Sequence, residues 1–139
     1  MAERAHLERL VALFHSSTIA QSMGIRMHYD AEERAVFELA YDGRFDHFLG
    51  DVHGGAIATL IDNAGWFAAA AGYPTWIVSV EVHVRYHEGA GKQALRALGS
   101  VVRAGKRITS THMEVRNASG VLVATGSGSF VVTSSPHPA

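Results

Sequence analysis

The sequence of 139 residues predicts an α+β fold in which one curved antiparallel sheet wraps a buried central helix. Three observations lead there. The run GGAIATLIDNAGWFAAAA, at 54–71, is apolar on every side and too long for a strand, so it reads as a helix covered all round. Residues 76–133 alternate apolar and polar side chains, with Gly- and Asn-containing turns between the stretches, as long antiparallel strands do. Two shorter alternating stretches precede the helix and read as a hairpin.

In chain order, Leu7, Leu10, Val11 and Phe14 line one side of an opening amphipathic helix, with Glu3, Arg4, Glu8 and Arg9 on the other. Ser16, Ser17 and Thr18 interrupt it, and a short further turn of helix runs to Met23 before Gly24. Residues 25–30 and 34–41 pair as the hairpin, and 42–52 is a connection. Gly72 and Pro74 close the central helix. The stretch 76–87 is read as two-faced, with Trp76, Val78, Val80, Val82, Val84 and Tyr86 against Ile77, Ser79, Glu81, His83, Arg85 and His87. Strands at 93–103, 107–116 and 121–133 follow, joined by a reversal at Gly105-Lys106 and a loop at 117–120. The expected organisation is a helical segment at 1–23, one domain at 24–133 and a disordered tail at 134–139.

Composition narrows the function. Twelve Lys and Arg against 13 Asp and Glu give a net charge of −1, which argues against a dedicated nucleic-acid binder. There is no cysteine, so disulfide scaffolds, thiolate metal sites and a cysteine nucleophile are excluded. No secretory or membrane-spanning segment is read, and a cytoplasmic location is expected. Charged residues are sparse at 18%, which suggests a surface covered by another subunit.

Asp62 interrupts the apolar helix, where an unpaired charge is costly. It is either a functional carboxylate with a raised pKa or a structural ion-pair partner. His53-Gly54-Gly55 heads the same helix. Backbone N–H groups there attract developing negative charge, and glycines at 54 and 55 let a ligand approach the backbone. The plain alternative is a tight entry into the helix, with His53 as a cap. Gly54 and Asp62 are eight residues apart, roughly 12 Å along a helix, too far to act on one carbonyl. If both serve one reaction, Asp62 comes from a second subunit through antiparallel packing of two such helices. The nine histidines lack metal-ligand spacing; His83 and His87, for example, lie about 13 Å apart on a strand. No metal site is expected.

VHGGAIATLIDNAG, VSVEVHVRYH, VVRAGKRI and GVLVATGSGSFVV together resemble the hotdog-fold acyl-CoA thioesterases. The nearest likeness is to the phenylacetate-degradation, PaaI-like branch of the 4-hydroxybenzoyl-CoA thioesterase superfamily, over about residues 24–133. The resemblance implies a hotdog fold, a homodimer often doubled into a tetramer, and hydrolysis of an acyl-CoA thioester. It implies that the Gly54 N–H polarises the thioester carbonyl, and that Asp62 of the partner subunit is nucleophile or general base. His53 would support the oxyanion site, and Ser79 would help to hold water or the acid. His47 stands where relatives carry Asn or Gln against the thioester. Arg103, Lys106 and Arg107 are candidate partners for the coenzyme A phosphates, or solvated surface charges. No cofactor is expected, since coenzyme A arrives as part of the substrate. Two alternatives stay open: a hydratase or dehydratase pairing His53 or His47 with Asp62, and a non-catalytic acyl-CoA or lipid-binding module.

Overall fold

The computed structural model describes residues 2–138; Met1 and Ala139 lie outside the described residues. The elements are α1 (Arg4–His15), α2 (Thr18–Met23), β1 (Arg26–Tyr29), β2 (Ala35–Leu39), a 3-10 turn (Gly43–Phe45), α3 (Gly54–Ala70), β3 (Thr75–Tyr86), β4 (Leu95–Ala104), β5 (Ile108–Asn117) and β6 (Leu122–Pro136). The six strands form one antiparallel sheet in the order β1-β2-β4-β5-β6-β3, with α3 packed against it. This is the hotdog fold.

Local chemistry sets the element ends. The Ser17 hydroxyl accepts from the Ala20 N–H and caps α2. Gly24 ends α2 in the left-handed region at φ 70°, where a side chain would be strained. At the β1–β2 turn the Asp30 carboxylate accepts from the N–H groups of Glu32 and Arg34 and pairs with the Arg34 guanidinium at 2.8 Å.

The core lies between α3 and the sheet, where Leu60, Ile61, Ala64, Phe37, Met113, Val115 and Phe130 have no exposed surface. α1 adds Leu10 and Phe14, and the Phe14 ring meets Phe37 edge-on at 4.9 Å and Phe67 at 5.5 Å. β4 crosses α3 so closely that a Cβ on Gly99 would collide with the Ala64 carbonyl.

Three expectations are corrected. α3 is not covered all round: Gly55 and Asp62 are exposed, and Thr59, Asn63 and Trp66 are half-buried, in one stripe that runs beside the edge strand β3. Apolar neighbours elsewhere on the helix had hidden that stripe. β3 does not alternate strictly, because its register with β6 shifts between Thr75 and Ile77 and again between Ser79 and Glu81. The extra residue at Val80 shifts the inward-facing positions from Ile77 to Val82 and Val84, while Val78, Ser79 and Val80 are all exposed. Finally, the expected disordered tail is largely ordered. β6 runs on to Pro136, which pairs with Thr75, and His137 is buried.

Candidate active site

His53 precedes α3 in an extended conformation, and its Nδ1 accepts from the Gly55 N–H at 2.8 Å. The loop before it is pinned on two sides. The His53 N–H donates to the Phe45 carbonyl, and the Asp51 carboxylate accepts from the N–H groups of Val52, Gly91 and Lys92 at 2.7, 2.9 and 3.0 Å. Those bonds, the one from Lys92 first, hold the Asp51 carboxyl below its ordinary pKa. On the other side the Tyr86 hydroxyl donates to the Gly54 carbonyl at 2.7 Å. With Gly55 satisfied by the imidazole, the Gly54 N–H has no acceptor among the described residues. A free N–H at the positive end of a helix of 17 residues is suited to developing negative charge.

Asp62 stands two turns along α3, on the open stripe. Among the described residues its carboxylate has no hydrogen-bond or ion-pair partner. Nearby groups strip enough water from it to push its pKa above the ordinary carboxylate value. It lines a largely apolar cavity of about 480 Å³ with Ser79, Asn63, Phe14, Trp66 and Trp76. The Asn63 amide donates to the Thr59 carbonyl at 2.8 Å, and the Trp66 indole N–H donates to the Ile77 carbonyl at 3.1 Å.

Within one chain these pieces fall into separate places. His53 and Gly55 line a different hollow, of about 310 Å³, with Phe45, Asp46 and Thr59. His47 lies half-buried in the loop ahead, its Nδ1 accepting from the Leu49 N–H at 3.1 Å, beside the exposed Phe48 and Leu49. Arg103, Lys106 and Arg107 are exposed around the β4–β5 turn. Tyr73, just beyond the C-terminal end of α3, donates its hydroxyl to Gly105 in that turn at 2.6 Å, so the basic group sits at the opposite end of α3 from Gly54. Asp62 and Ser79 are brought together; Gly54 and Asp62 are not.

Sequence reasoning passed over Tyr86 and Asp51. Tyr86 faces α3 because the Val80 bulge sets its side, and no local pattern reports the bulge. Asp51 is an acidic residue in a loop before a helix, a position where carboxylates often accept backbone N–H groups.

Residues 49–124 match the thioesterase superfamily. A protein from Halobacterium salinarum described as a putative esterase is 37% identical over 93 residues, which span 60% of this chain and 61% of that protein's own length. Among solved structures, a Bacillus halodurans protein crystallised with CoA is 27% identical, with a TM-score of 0.80 over 91% of this chain and 89% of that one. The PaaI protein of the E. coli phenylacetic acid degradation operon superposes with a TM-score of 0.85 over 98% of this chain and 99% of that one. At 19% identity, that last likeness is one of fold.

Proposed function

The chain belongs to the thioesterase superfamily, and from that premise we propose that it hydrolyses an acyl-CoA thioester at a site shared by two copies. One observation carries the reading: a free N–H at Gly54 and an unpaired carboxylate at Asp62 lie on one helix, too far apart for a single carbonyl. The Bacillus halodurans relative crystallised with CoA supports the choice of CoA ester. The His53-Gly54-Gly55 start with Asp62 favours the PaaI-like branch.

The second copy is expected at β3, which pairs with β6 on one side only. A long strand left at an edge invites pairing with another chain, and its side chains Val78 and Val80 are 48% and 62% exposed. Antiparallel pairing of two β3 strands brings two α3 helices side by side and antiparallel, with Gly54 of one approaching Asp62 of the other. Exposed Phe48 and Leu49, next to His47, offer further apolar surface to the same partner.

In this arrangement the thioester carbonyl oxygen rests on the Gly54 N–H. Asp62 of the second copy takes a proton from water, and the hydroxide adds to the carbonyl carbon; alternatively the carboxylate itself adds, giving on loss of the thiolate an acyl–Asp62 anhydride that water hydrolyses to regenerate the carboxylate, release the acid and supply the thiolate's proton. Gly54 and the helix dipole stabilise the oxyanion. As the carbonyl re-forms, the C–S bond breaks and the CoA thiolate leaves, taking up the proton. His53 holds Gly55 and so the geometry of the turn, Ser79 orients water or the carboxylate, and His47 contacts the thioester. Arg103, Lys106 and Arg107, at the far end of α3 from their own Gly54, meet CoA phosphates of a site completed by the second copy. The acyl group lies in the cavity of Trp66, Trp76 and Phe14. The test is CoA release, followed with a thiol reagent, from aryl-, short- and long-chain acyl-CoAs by the wild type and Asp62→Asn. Turnover by the wild type and its loss in the variant support the reading; equal rates overturn it.

A further inference from the structure

We propose that His137 limits the length of the acyl group by backing the tryptophan wall of the Asp62 cavity, an inference that rests on the acyl-thioester reading above. Trp66 and Trp76 line that cavity together with Asp62 and Ser79, and their rings lie 4.9 Å apart. His137 packs edge-on behind both, 5.7 Å from Trp76 and 6.3 Å from Trp66. On its other side His6 lies at 5.5 Å, tied through Nε2 to the Ala70 carbonyl at 3.0 Å. His6 in turn lines a second hollow of about 360 Å³ with Arg9, Gly72 and Tyr73. His137 thus stands behind the lining of both spaces, in contact with Trp66 and Trp76 of one and His6 of the other, where a longer chain would have to pass to join them.

Its position is held mainly by backbone pairing, with one long hydrogen bond of 3.5 Å between its Nε2 and the Tyr73 carbonyl. Pro136 pairs with Thr75, and the Thr133 hydroxyl donates to the Trp76 carbonyl at 2.6 Å. The imidazole is 6% exposed, and its Nδ1 is buried with no hydrogen-bond partner among the described residues. Burying an unpaired polar atom is unfavourable, so a ring retained there fits a role in shape. Burial also pushes the His137 pKa down, which keeps the ring uncharged against two indoles.

Two readouts test this in the full chain. The first is kcat/KM for butanoyl-, hexanoyl- and decanoyl-CoA. His137→Ala should raise the decanoyl-to-butanoyl ratio about tenfold or more, since pocket fit discriminates by 10–200-fold per methylene-sized change. His137→Phe, which restores a ring, should keep the wild-type ratio. A merely structural role would lower all three substrates together and leave the ratio unchanged.

The second readout needs no turnover. Trp66 and Trp76 are the two tryptophans of the sequence, so their fluorescence reports directly on this wall. In titrations with free fatty acids, affinity should stop rising at a certain chain length, and that limit should move to longer chains in His137→Ala but not in His137→Phe. Should the alanine variant fail to fold, His137→Val should show the same direction with a smaller shift. An unchanged ratio and an unchanged length limit overturn the wall. If the limit moves while the wild type hydrolyses no acyl-CoA, the thioester reading falls and the wall stands.

Discussion

Along α3, the face turned to the sheet and the face turned to solvent are built from different residues and obey different constraints. The sheet side carries Leu60, Ile61 and Ala64 with no exposed surface, and Gly99 of β4 meets the Ala64 backbone directly. Nothing polar is offered there, and small residues set how near the sheet can lie. The solvent side presents Gly55, Thr59, Asp62, Asn63 and Trp66, with an unpaired carboxylate among them. The covered face decides whether the domain folds. The open face is where the chain has left chemistry unsatisfied, and a second copy with a bound substrate is what completes it.

The largest expected separation between the faces comes from Asp62→Asn. CoA release should fall about 10²–10⁴-fold, the usual contribution of a positioned acid or base. Its thermal midpoint should nevertheless stay level or rise at pH 7. The sign follows from the raised pKa: burial disfavours the ionised form, so a neutral amide removes an unfavourable charge wherever the carboxylate would be ionised. For the same reason the acid limb of the wild-type kcat/KM profile should lie above the ordinary carboxylate value of 3.8.

Substitutions on the covered face should behave in the opposite way. Leu60→Ala should cost about 2–5 kcal/mol of stability through the cavity it leaves. Gly99→Ala should cost about 1–3 kcal/mol by overpacking against Ala64. Denaturant unfolding measures both. Activity per folded molecule should change far less than in Asp62→Asn; a large specific loss from Leu60→Ala would blur the division between faces.

The smallest effect concerns the loop that presents Gly54. Asp51 has a lowered pKa in the folded state, so its contribution is present above the ordinary carboxylate range and is lost as pH falls through the folded value. Asp51→Asn should therefore lower the thermal midpoint at pH 7, and the gap to the wild type should close toward pH 3. A gap that persists unchanged at low pH would show that the carboxylate charge is not what holds the loop.

Much of this architecture is legible in local pattern. Helix α3, the Gly24 stop and the strand stretches follow from periodicity and from a few residues with narrow conformational choices. The spacing between Gly54 and Asp62 can be counted directly, and it already asks for a second copy. What escapes is set by distant partners. The strand order depends on pairings such as Ala35 with Gly99, far apart in sequence. The bulge at Val80, which brings Val82, Val84 and Tyr86 to the side of Ile77, is set by register with β6. His137 looks like tail until Trp66, Trp76 and His6 are placed around it.

The shared site is tested most directly by mixing two inactive variants. Asp62→Asn removes the carboxylate. Gly54→Pro removes the N–H at the first helical position, where proline is tolerated and the preceding His53 is already extended. Each variant alone should be inactive. Unfolded together in equal amounts and refolded, they should recover about a quarter of wild-type activity, because half of the dimers are mixed and each mixed dimer holds one intact site. If Gly54 and Asp62 worked within a single chain, the mixture would stay as inactive as its parts.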